Sequence, residues 1–238
     1  MAGLRVDPRL LVRDGRYWGL SGGWTATLLA APFAGALLVG LASAWPGLYR
    51  ALVREDSVLE WLQFGSYVVA AVLVAWAAVR LERGDRRLFS VLFGVLALCC
   101  LFAAGEEASW GQRLFGIGTP HELASVNGQD ELNVHDVVEV QGKFNLLLAL
   151  ASLYGFASPW LVRRRVLIVP PAALGTAFLT MFLYQAGRAL FFPHPHYELA
   201  KFSEWPETCF AGAIALFAFL SLRLLDKGGT IRSPCQTS

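Results

Sequence analysis

The chain has 238 residues, of which 55% are hydrophobic and only 16% are charged, against about 25% in a typical soluble domain. Its 20 basic and 18 acidic residues nearly cancel. The high hydrophobic fraction and the small net charge together exclude a disordered chain and a nucleic-acid binder that works through bulk charge. The mean hydropathy of +0.49 also argues against an ordinary soluble domain.

The N-terminal segment, residues 1–23, mixes four arginines with Asp7, Pro8 and Asp14. The apolar run that follows is too long for the core of a signal peptide, so we expect the segment to be retained and cytoplasmic. The four cysteines have no spacing typical of a zinc site or a disulfide framework. Those inside apolar runs, such as Cys99 and Cys100, are expected to be small buried hydrophobic residues.

Six apolar segments approach the ~20 residues that a helix needs to cross the hydrocarbon core of a bilayer. They are residues 24–45, 57–79, 88–104, 145–161, 168–192 and 207–225. Ser57 and Glu60 form a capping box at the start of the second, and Pro170 and Pro171 stand at the start of the fifth. The sequence therefore predicts an all-α fold: one domain, residues 1–238, that is a polytopic membrane helix bundle of about six transmembrane helices with short amphipathic helices on its outer face.

The distribution of charge predicts the orientation of this bundle. Six crossings place both termini on one side, which holds 14 of the Lys and Arg residues but only 5 of the Asp and Glu residues. The other side holds 6 basic residues, 13 acidic residues and all four histidines. Because basic residues favour the cytoplasmic side, we expect a bacterial cytoplasmic (inner) membrane protein with both termini, including the tail at 226–238, in the cytoplasm. Carboxylate or imidazole chemistry then belongs to the outer face.

Residues 105–143 form a polar module on that outer face. Counted from Leu88, Glu106 lies ~27 Å along the third helix, at the edge of the hydrocarbon. Because carboxylates at a helix C-terminus oppose the helix dipole, we expect the helix to continue about two turns, to Arg113. Glu106 and Arg113 would then share a face. One interpretation is an interfacial cap in which these two residues pair; the other is a functional site that includes the adjacent carboxylate of Glu107.

The second half of the module contains a row of potential ligands. Glu131, His135 and Glu139 are spaced i, i+4 and i+8 on a helix predicted over residues 130–141. A row of carboxylate, imidazole and carboxylate suits a divalent metal ion, or a general base whose imidazole is oriented by a carboxylate. The alternative is the polar face of an amphipathic helix lying on the membrane.

A second outer group of polar residues follows the fifth span. Arg188 shares a helix face with Tyr184. Its side chain either extends to the interface, pairs with the glutamates of the module, or holds an anionic head group. His194 and His196 alternate with prolines in an extended segment that points both rings to one side, which a metal site can use; the alternative is unliganded loop histidines.

Two runs in the module carry a resemblance. Glu106-Glu107-x-Ser109-Trp110-Gly111-Gln112-Arg113 is followed by Asn127-x-Gln129-x-Glu131-x-Asn133-x-His135. Together they resemble a signature of uncharacterised bacterial multi-pass membrane proteins, and the resemblance implies location rather than an activity.

The first run is also similar to the E-E-x-x-x-R helix of CAAX-type intramembrane glutamate proteases. That resemblance implies that Glu106 activates a water molecule and that His135 is a later histidine of the site. Arg113 follows the glutamate pair after five residues rather than three, and no F-x-x-x-H pattern surrounds His135.

Three functions are open at this point. The first is a membrane-embedded hydrolase, dependent on glutamate or a metal, in which Glu106, Glu107, His135 and Glu139 converge with Arg188, His194 and His196 to cleave a lipid-linked or membrane-bound substrate. The second is a non-catalytic subunit or scaffold whose outer module docks a partner protein. The third is a small transporter, which the absence of ionisable residues at the centres of the spans disfavours.

Overall fold

A computed structural model describes residues 8–54, 57–84, 86–121, 132–134, 137–162, 166–192 and 196–226, which form helices and turns without any β-strand. The predicted all-α fold is confirmed. In chain order the helices are α1 (Pro8–Tyr17), α2 (Gly22–Ala42), α3 (Pro46–Val53), α4 (Val58–Arg83), α5 (Arg87–Glu107), α6 (Gln112–Phe115), α7 (Val138–Leu161), α8 (Gly175–Leu190), α9 (Tyr197–Lys201) and α10 (Glu204–Asp226).

Five of these helices, α2, α4, α5, α7 and α10, are long and apolar enough to cross a membrane. The remaining predicted span, residues 168–192, is shorter than expected, because a 3-10 turn at Ala172–Leu174 leads into the 16 residues of α8. At 1.5 Å per α-helical residue and 2.0 Å per 3-10 residue, turn and helix cover about 30 Å, the thickness of the hydrocarbon core. Since α8 also packs against α2, α7 and α10, it has the length and the neighbours of a sixth transmembrane helix.

Side-chain caps define where two of the long helices begin. The Ser57 hydroxyl accepts a hydrogen bond from the backbone N–H of Glu60 at 3.3 Å, so the predicted start of α4 is confirmed. The Ser21 hydroxyl accepts from the N–H of Trp24 at 3.2 Å, and α2 therefore begins two residues before its predicted start. Each cap satisfies one of the N–H groups that a helix leaves without an internal partner.

The core lies between α4, α5, α8 and α10, and α10 is the most central of the long helices. Half of the apolar stretch of α10 is buried, against 17% for α5. On the opposite faces of α5 and α7, Leu88, Leu98 and Leu146 are each at least 60% exposed. Helices that stay apolar on the face turned away from the core are typical of a bundle surrounded by lipid.

The two ends of the bundle differ in charge, and we name them accordingly. At the acidic end, α4 and α10 begin and α5 and α8 end. At the basic end, α4 and α10 end together, and Arg80 lies 2.7 Å from Asp226. Both side chains of this ion pair are more than a third exposed, so it contributes little to stability.

A proline inside α2 explains how this helix joins the bundle. Pro32 has no N–H, so the carbonyl of Leu28 one turn earlier loses its helical partner. The Thr176 hydroxyl of α8 approaches that carbonyl at 3.3 Å. The Trp205 indole nitrogen of α10 donates to the carbonyl of Pro32 at 2.8 Å, and its ring lies so close to Gly35 that a Cβ there would be 1.9 Å away. Pro32 thus leaves a carbonyl that Thr176 of α8 can bond, and Gly35 leaves room for the Trp205 ring of α10 to pack against α2.

Candidate functional site

Glu106, which the sequence places at the hydrocarbon edge, is a buried residue in the last turn of α5. One carboxylate oxygen, Oε1, accepts a hydrogen bond from the Trp110 indole nitrogen at 2.6 Å. The other, Oε2, accepts from the backbone N–H of Val134 at 2.7 Å. Because hydrogen bonds to an ionised carboxylate are among the stronger ones in proteins, Glu106 holds residues 132–134 of the polar module against the end of α5.

The predicted continuation of the third span to Arg113 is wrong. α5 ends at Glu107, and the next residues turn sharply, with φ angles of 45° at Ser109, 52° at Trp110 and 82° at Gly111. Left-handed backbone is costly for residues other than glycine and persists where surrounding contacts enforce it. Arg113 lies in the separate short helix α6, so it does not share a helix face with Glu106.

This turn folds the Trp110 ring back over the last turns of α5. A Cβ at Gly105 would lie 2.9 Å from the ring, so only glycine lets the indole approach this closely. Phe102 packs edge-on against the same ring, with 5.6 Å between the ring centroids. In this position the indole nitrogen donates to Oε1 of Glu106.

Gln112 connects two further parts of the module. Its Nε2 donates to the Thr119 hydroxyl at 2.6 Å, and its Oε1 accepts from the backbone N–H of Leu132. The next residue, Asn133, is buried with 2% of its surface exposed. Glu106 and Gln112, which belong to the first signature run, thus hold the segment that contains Asn133 of the second run.

The metal-ligating row predicted on one helix is not formed as expected. Leu132–Val134 are not helical, Val137 is extended at φ −67° and ψ 121°, and α7 begins only at Val138. Glu131 and His135 lie outside the described residues, and Glu139 lies in the first turn of α7. The N–H of Val134 is bonded to Glu106, which is incompatible with a regular helix through this position.

The remaining predicted ligands do not come together in the part of the chain that is described. His194 lies outside that part, and His196 is an exposed residue that precedes α9. No group of three His, Cys, Asp or Glu side chains within the described ranges could hold a metal ion. A divalent metal in the module stays a prediction.

A polar pair that sequence reasoning missed lies inside the bundle near the acidic end. Gln63 of α4 is completely buried, and its Nε2 donates to the Glu204 carboxylate at 2.9 Å and to the backbone carbonyl of Glu204 at 3.1 Å. Glu204 is the first residue of α10, where the helix dipole also favours a carboxylate. A glutamine within an otherwise apolar span was the available signal for this pair.

Two predicted residues, Glu107 and Arg188, extend this pair into a cluster. Glu107 and Glu207 both lie close enough to interact electrostatically with the buried hydroxyl of Tyr67. Glu207 and Arg188 interact in the same way with the Tyr184 hydroxyl, which donates a hydrogen bond to the backbone carbonyl of Ala200 at 3.0 Å.

Four helices contribute to this group, which we call the acidic-end cluster. Its members are Gln63, Tyr67, Glu107, Tyr184, Arg188, Glu204 and Glu207. The structure places Arg188 beside Tyr184, and the three interpretations of its side chain stay predictions.

One atom of the cluster lacks a partner. The Oε1 of Gln63 is buried and has no hydrogen-bond partner among the described residues. Leaving such an acceptor unsatisfied costs about 1–3 kcal/mol, so the site favours an added hydrogen-bond donor. A donor bound here would lie next to the Glu204 carboxylate, an arrangement suited to proton transfer.

Comparisons with known proteins add no functional assignment to this geometry. No protein-family model matches the chain, and no curated protein or solved structure matches it either. The resemblances carried by the two signature runs therefore stay predictions, and the candidate function must be argued from the arrangement of the side chains.

Proposed function

We propose that the protein is an integral membrane hydrolase that uses water bound in the acidic-end cluster to cleave a lipid-linked or membrane-bound substrate. The observation that carries this proposal is the buried, unpaired Oε1 of Gln63 beside the carboxylate of Glu204. A site that offers a hydrogen-bond acceptor and a base side by side is suited to hold and deprotonate a water molecule.

The hydrogen bonds of Gln63 identify which of its two terminal atoms is the free acceptor. Two acceptors of Glu204, a carboxylate oxygen and a backbone carbonyl, surround the same terminal atom, which must therefore be the donor Nε2. Oε1 is left to accept. A water molecule that donates one hydrogen to Oε1 keeps its second hydrogen for the Glu204 carboxylate.

The proposed reaction assigns each group one task. Glu204 accepts a proton from the water as the water oxygen bonds to the carbonyl carbon or phosphorus of the substrate. The bond from that atom to the leaving oxygen breaks, and the leaving group receives the proton that Glu204 accepted. The Arg188 guanidinium, beside Tyr184, supplies positive charge to hold an anionic part of the substrate.

We assign the base to Glu204 rather than to Glu106 because of their hydrogen bonds. Both oxygens of Glu106 accept N–H groups that fasten the polar module, so its role is positional. Glu107 remains part of the proposed site through its interaction with Tyr67.

Isotope labelling would test the proposal without knowledge of the substrate. Protein in vesicles of total bacterial lipid extract is incubated in ¹⁸O-labelled water, and the lipids are compared by mass spectrometry with protein-free vesicles. We expect a labelled product whose formation falls about 100-fold or more in Glu204→Gln, the loss typical of removing a general base. Glu198→Gln, at an exposed glutamate near the same end, is the matched control and should retain activity. Equal product with Glu204→Gln, or none with the wild type, would overturn the proposal.

The membrane and orientation belong to the same proposal: a bacterial cytoplasmic membrane with both termini in the cytoplasm. The charge difference between the two ends supports this orientation. Alkaline phosphatase fused after residue 54, at the acidic end, should be active in the periplasm, whereas a fusion after residue 84 should be inactive. The reverse pattern would contradict the orientation and place the cluster on the cytoplasmic side.

A specific observation favours a second candidate, a non-catalytic subunit whose polar module docks a partner protein. Glu106 and Gln112 use their side chains to fix the module to the bundle, which would give a partner a preformed surface. A partner that co-purifies with the wild type but not with Glu106→Ala, without any labelled product, would favour this candidate over the hydrolase.

A further inference from the structure

The amphipathic helix α1 crosses the basic end of the bundle and is anchored there by two contacts. The Trp18 ring that follows it is buried against Phe217 of α10, with 6.1 Å between the ring centroids. The Asp14 carboxylate accepts a hydrogen bond from the backbone N–H of Ala172 at 2.8 Å, at the start of the 3-10 turn that leads into α8. Leu10 and Val12 of the same helix are exposed.

A cavity of about 300 Å³ lies between α1, the end of α7 and the segment before α8. Its walls are mostly apolar and aromatic, with Tyr17 on one side and Trp160, Val166 and Val169 on the other. Arg13 of α1 lies at its edge and forms no ion pair with any residue that the structure describes. Apolar walls beside the Arg13 guanidinium fit a ligand in which an anionic group is attached to a hydrocarbon chain.

From this arrangement we propose that the cavity binds the phosphate and glycerol part of an anionic phospholipid. The phosphate pairs with Arg13, and the acyl chains continue along the exposed Leu10 and Val12 of α1 into the bilayer. Since one water occupies ~30 Å³ in the liquid, the cavity has room for about ten waters, which suits a headgroup rather than a whole lipid. The acyl chains must therefore lie outside it.

Two features of charge make an anion the preferred ligand. Asp14 also lines the cavity, but its carboxylate faces the N–H of Ala172 and the positive end of the α8 dipole, which offset its charge. Among the described residues, the basic end carries Arg13, Arg16, Arg80, Arg83, Arg86, Arg87 and Arg223, and basic surfaces of this kind attract anionic lipids. A zwitterionic lipid would gain less from the same contacts.

Native mass spectrometry of the purified full-length protein tests this site. Phosphatidylglycerol and phosphatidylcholine with identical acyl chains are titrated separately, and bound copies are counted. We expect phosphatidylglycerol to bind more tightly and Arg13→Gln to weaken it about fivefold, the effect of one arginine near an anionic membrane surface. Arg16→Gln is the matched control, because Arg16 is exposed on the same helix and does not line the cavity.

Other outcomes would overturn the proposal. Equal binding of the two lipids, or equal losses in Arg13→Gln and Arg16→Gln, would show that bulk charge and not the cavity attracts the lipid. Glycerol 3-phosphate is added at millimolar concentration as a competitor. If it binds the cavity as strongly as the lipid does, the cavity is a site for a soluble phosphate ester instead. Val169→Phe, which fills the apolar wall without changing charge, should also reduce binding; thermal unfolding of each variant separates lost binding from lost folding.

Discussion

The Trp110 indole nitrogen lies 2.6 Å from Oε1 of Glu106, although the two residues are separated by a left-handed turn that ends helix α5. The same carboxylate accepts the backbone N–H of Val134, 28 residues further along the chain. One buried acidic side chain therefore fixes both the turn and the attachment of the polar module. Glu106 is therefore a structural residue, and we expect its replacement to lower the stability of the fold rather than to act directly on a catalytic step.

Replacing Glu106 with glutamine should destabilise the protein by about 1–3 kcal/mol, because the amide offers only one acceptor oxygen for two N–H donors and leaves one of them unpaired. The free energy of unfolding in mixed micelles is the measurement. Trp110→Phe removes one donor, so the cost of Glu106→Gln should be smaller in that background. Glu82→Gln, at an exposed glutamate of the basic end, should change stability by less than about 0.5 kcal/mol. Equal losses for the two glutamates would contradict the assignment.

Gly35 of α2 should tolerate no side chain, because a Cβ would meet the Trp205 ring at 1.9 Å. The ring would have to move, and its hydrogen bond to the Pro32 carbonyl would be lost. We expect Gly35→Ala to cost about 1–3 kcal/mol or more, as overpacked cores do. Gly40→Ala in the same helix is the control: no other group lies within 4 Å of its Cβ position, and the substitution should leave the melting temperature unchanged or raise it. A lower melting temperature for Gly40→Ala alone would refute the account.

The spans of the fold could be predicted because each depends on local composition. The apolar run and the Ser57 cap define the start of α4 without reference to the rest of the chain. The fifth span was predicted too long, because apolar content does not show that Pro171 and the following 3-10 turn delay the start of α8. Composition is therefore a better guide to whether a segment can cross the membrane than to the residue at which its helix begins.

The candidate site was harder to predict because it depends on contacts distant in sequence. Glu107 and Arg188 were identified as charged residues at the membrane edge, but their neighbours in the cluster could not be deduced. Gln63 and Glu204 are 141 residues apart, and only packing of α4 against α10 brings them together. The helix expected over residues 130–141 failed for a similar reason, since the N–H of Val134 is held by a side chain 28 residues earlier.

Removing the carboxylate of Asp14 should loosen the start of the segment that leads into α8. The Asp14→Ala variant leaves the Ala172 N–H without its acceptor, and loss of a cap of this kind costs about 0.5–2 kcal/mol. Hydrogen exchange should accelerate at Ala172 and through the following turn, while exchange at the acidic end stays constant. Asp14→Asn keeps an acceptor oxygen and should recover most of the protection. Unchanged exchange in Asp14→Ala would show that the bond contributes nothing to this segment.

Because Pro32 interrupts the hydrogen bonds of α2, we expect the Thr176 hydroxyl to stabilise the fold only while this proline is present. In the wild type the Leu28 carbonyl lacks a helical donor because of Pro32, and the Thr176 hydroxyl approaches it at 3.3 Å. Thr176→Val should therefore cost about 1 kcal/mol of unfolding free energy, a typical net value for one hydrogen bond. Pro32→Ala restores the helical N–H, so in that background the same substitution should cost close to nothing. Thr180→Val is the matched control, since its hydroxyl bonds the Thr176 carbonyl within α8 and its cost should be the same in both backgrounds. If Thr176→Val costs as much in the Pro32→Ala background as in the wild type, the hydroxyl does not replace the missing donor.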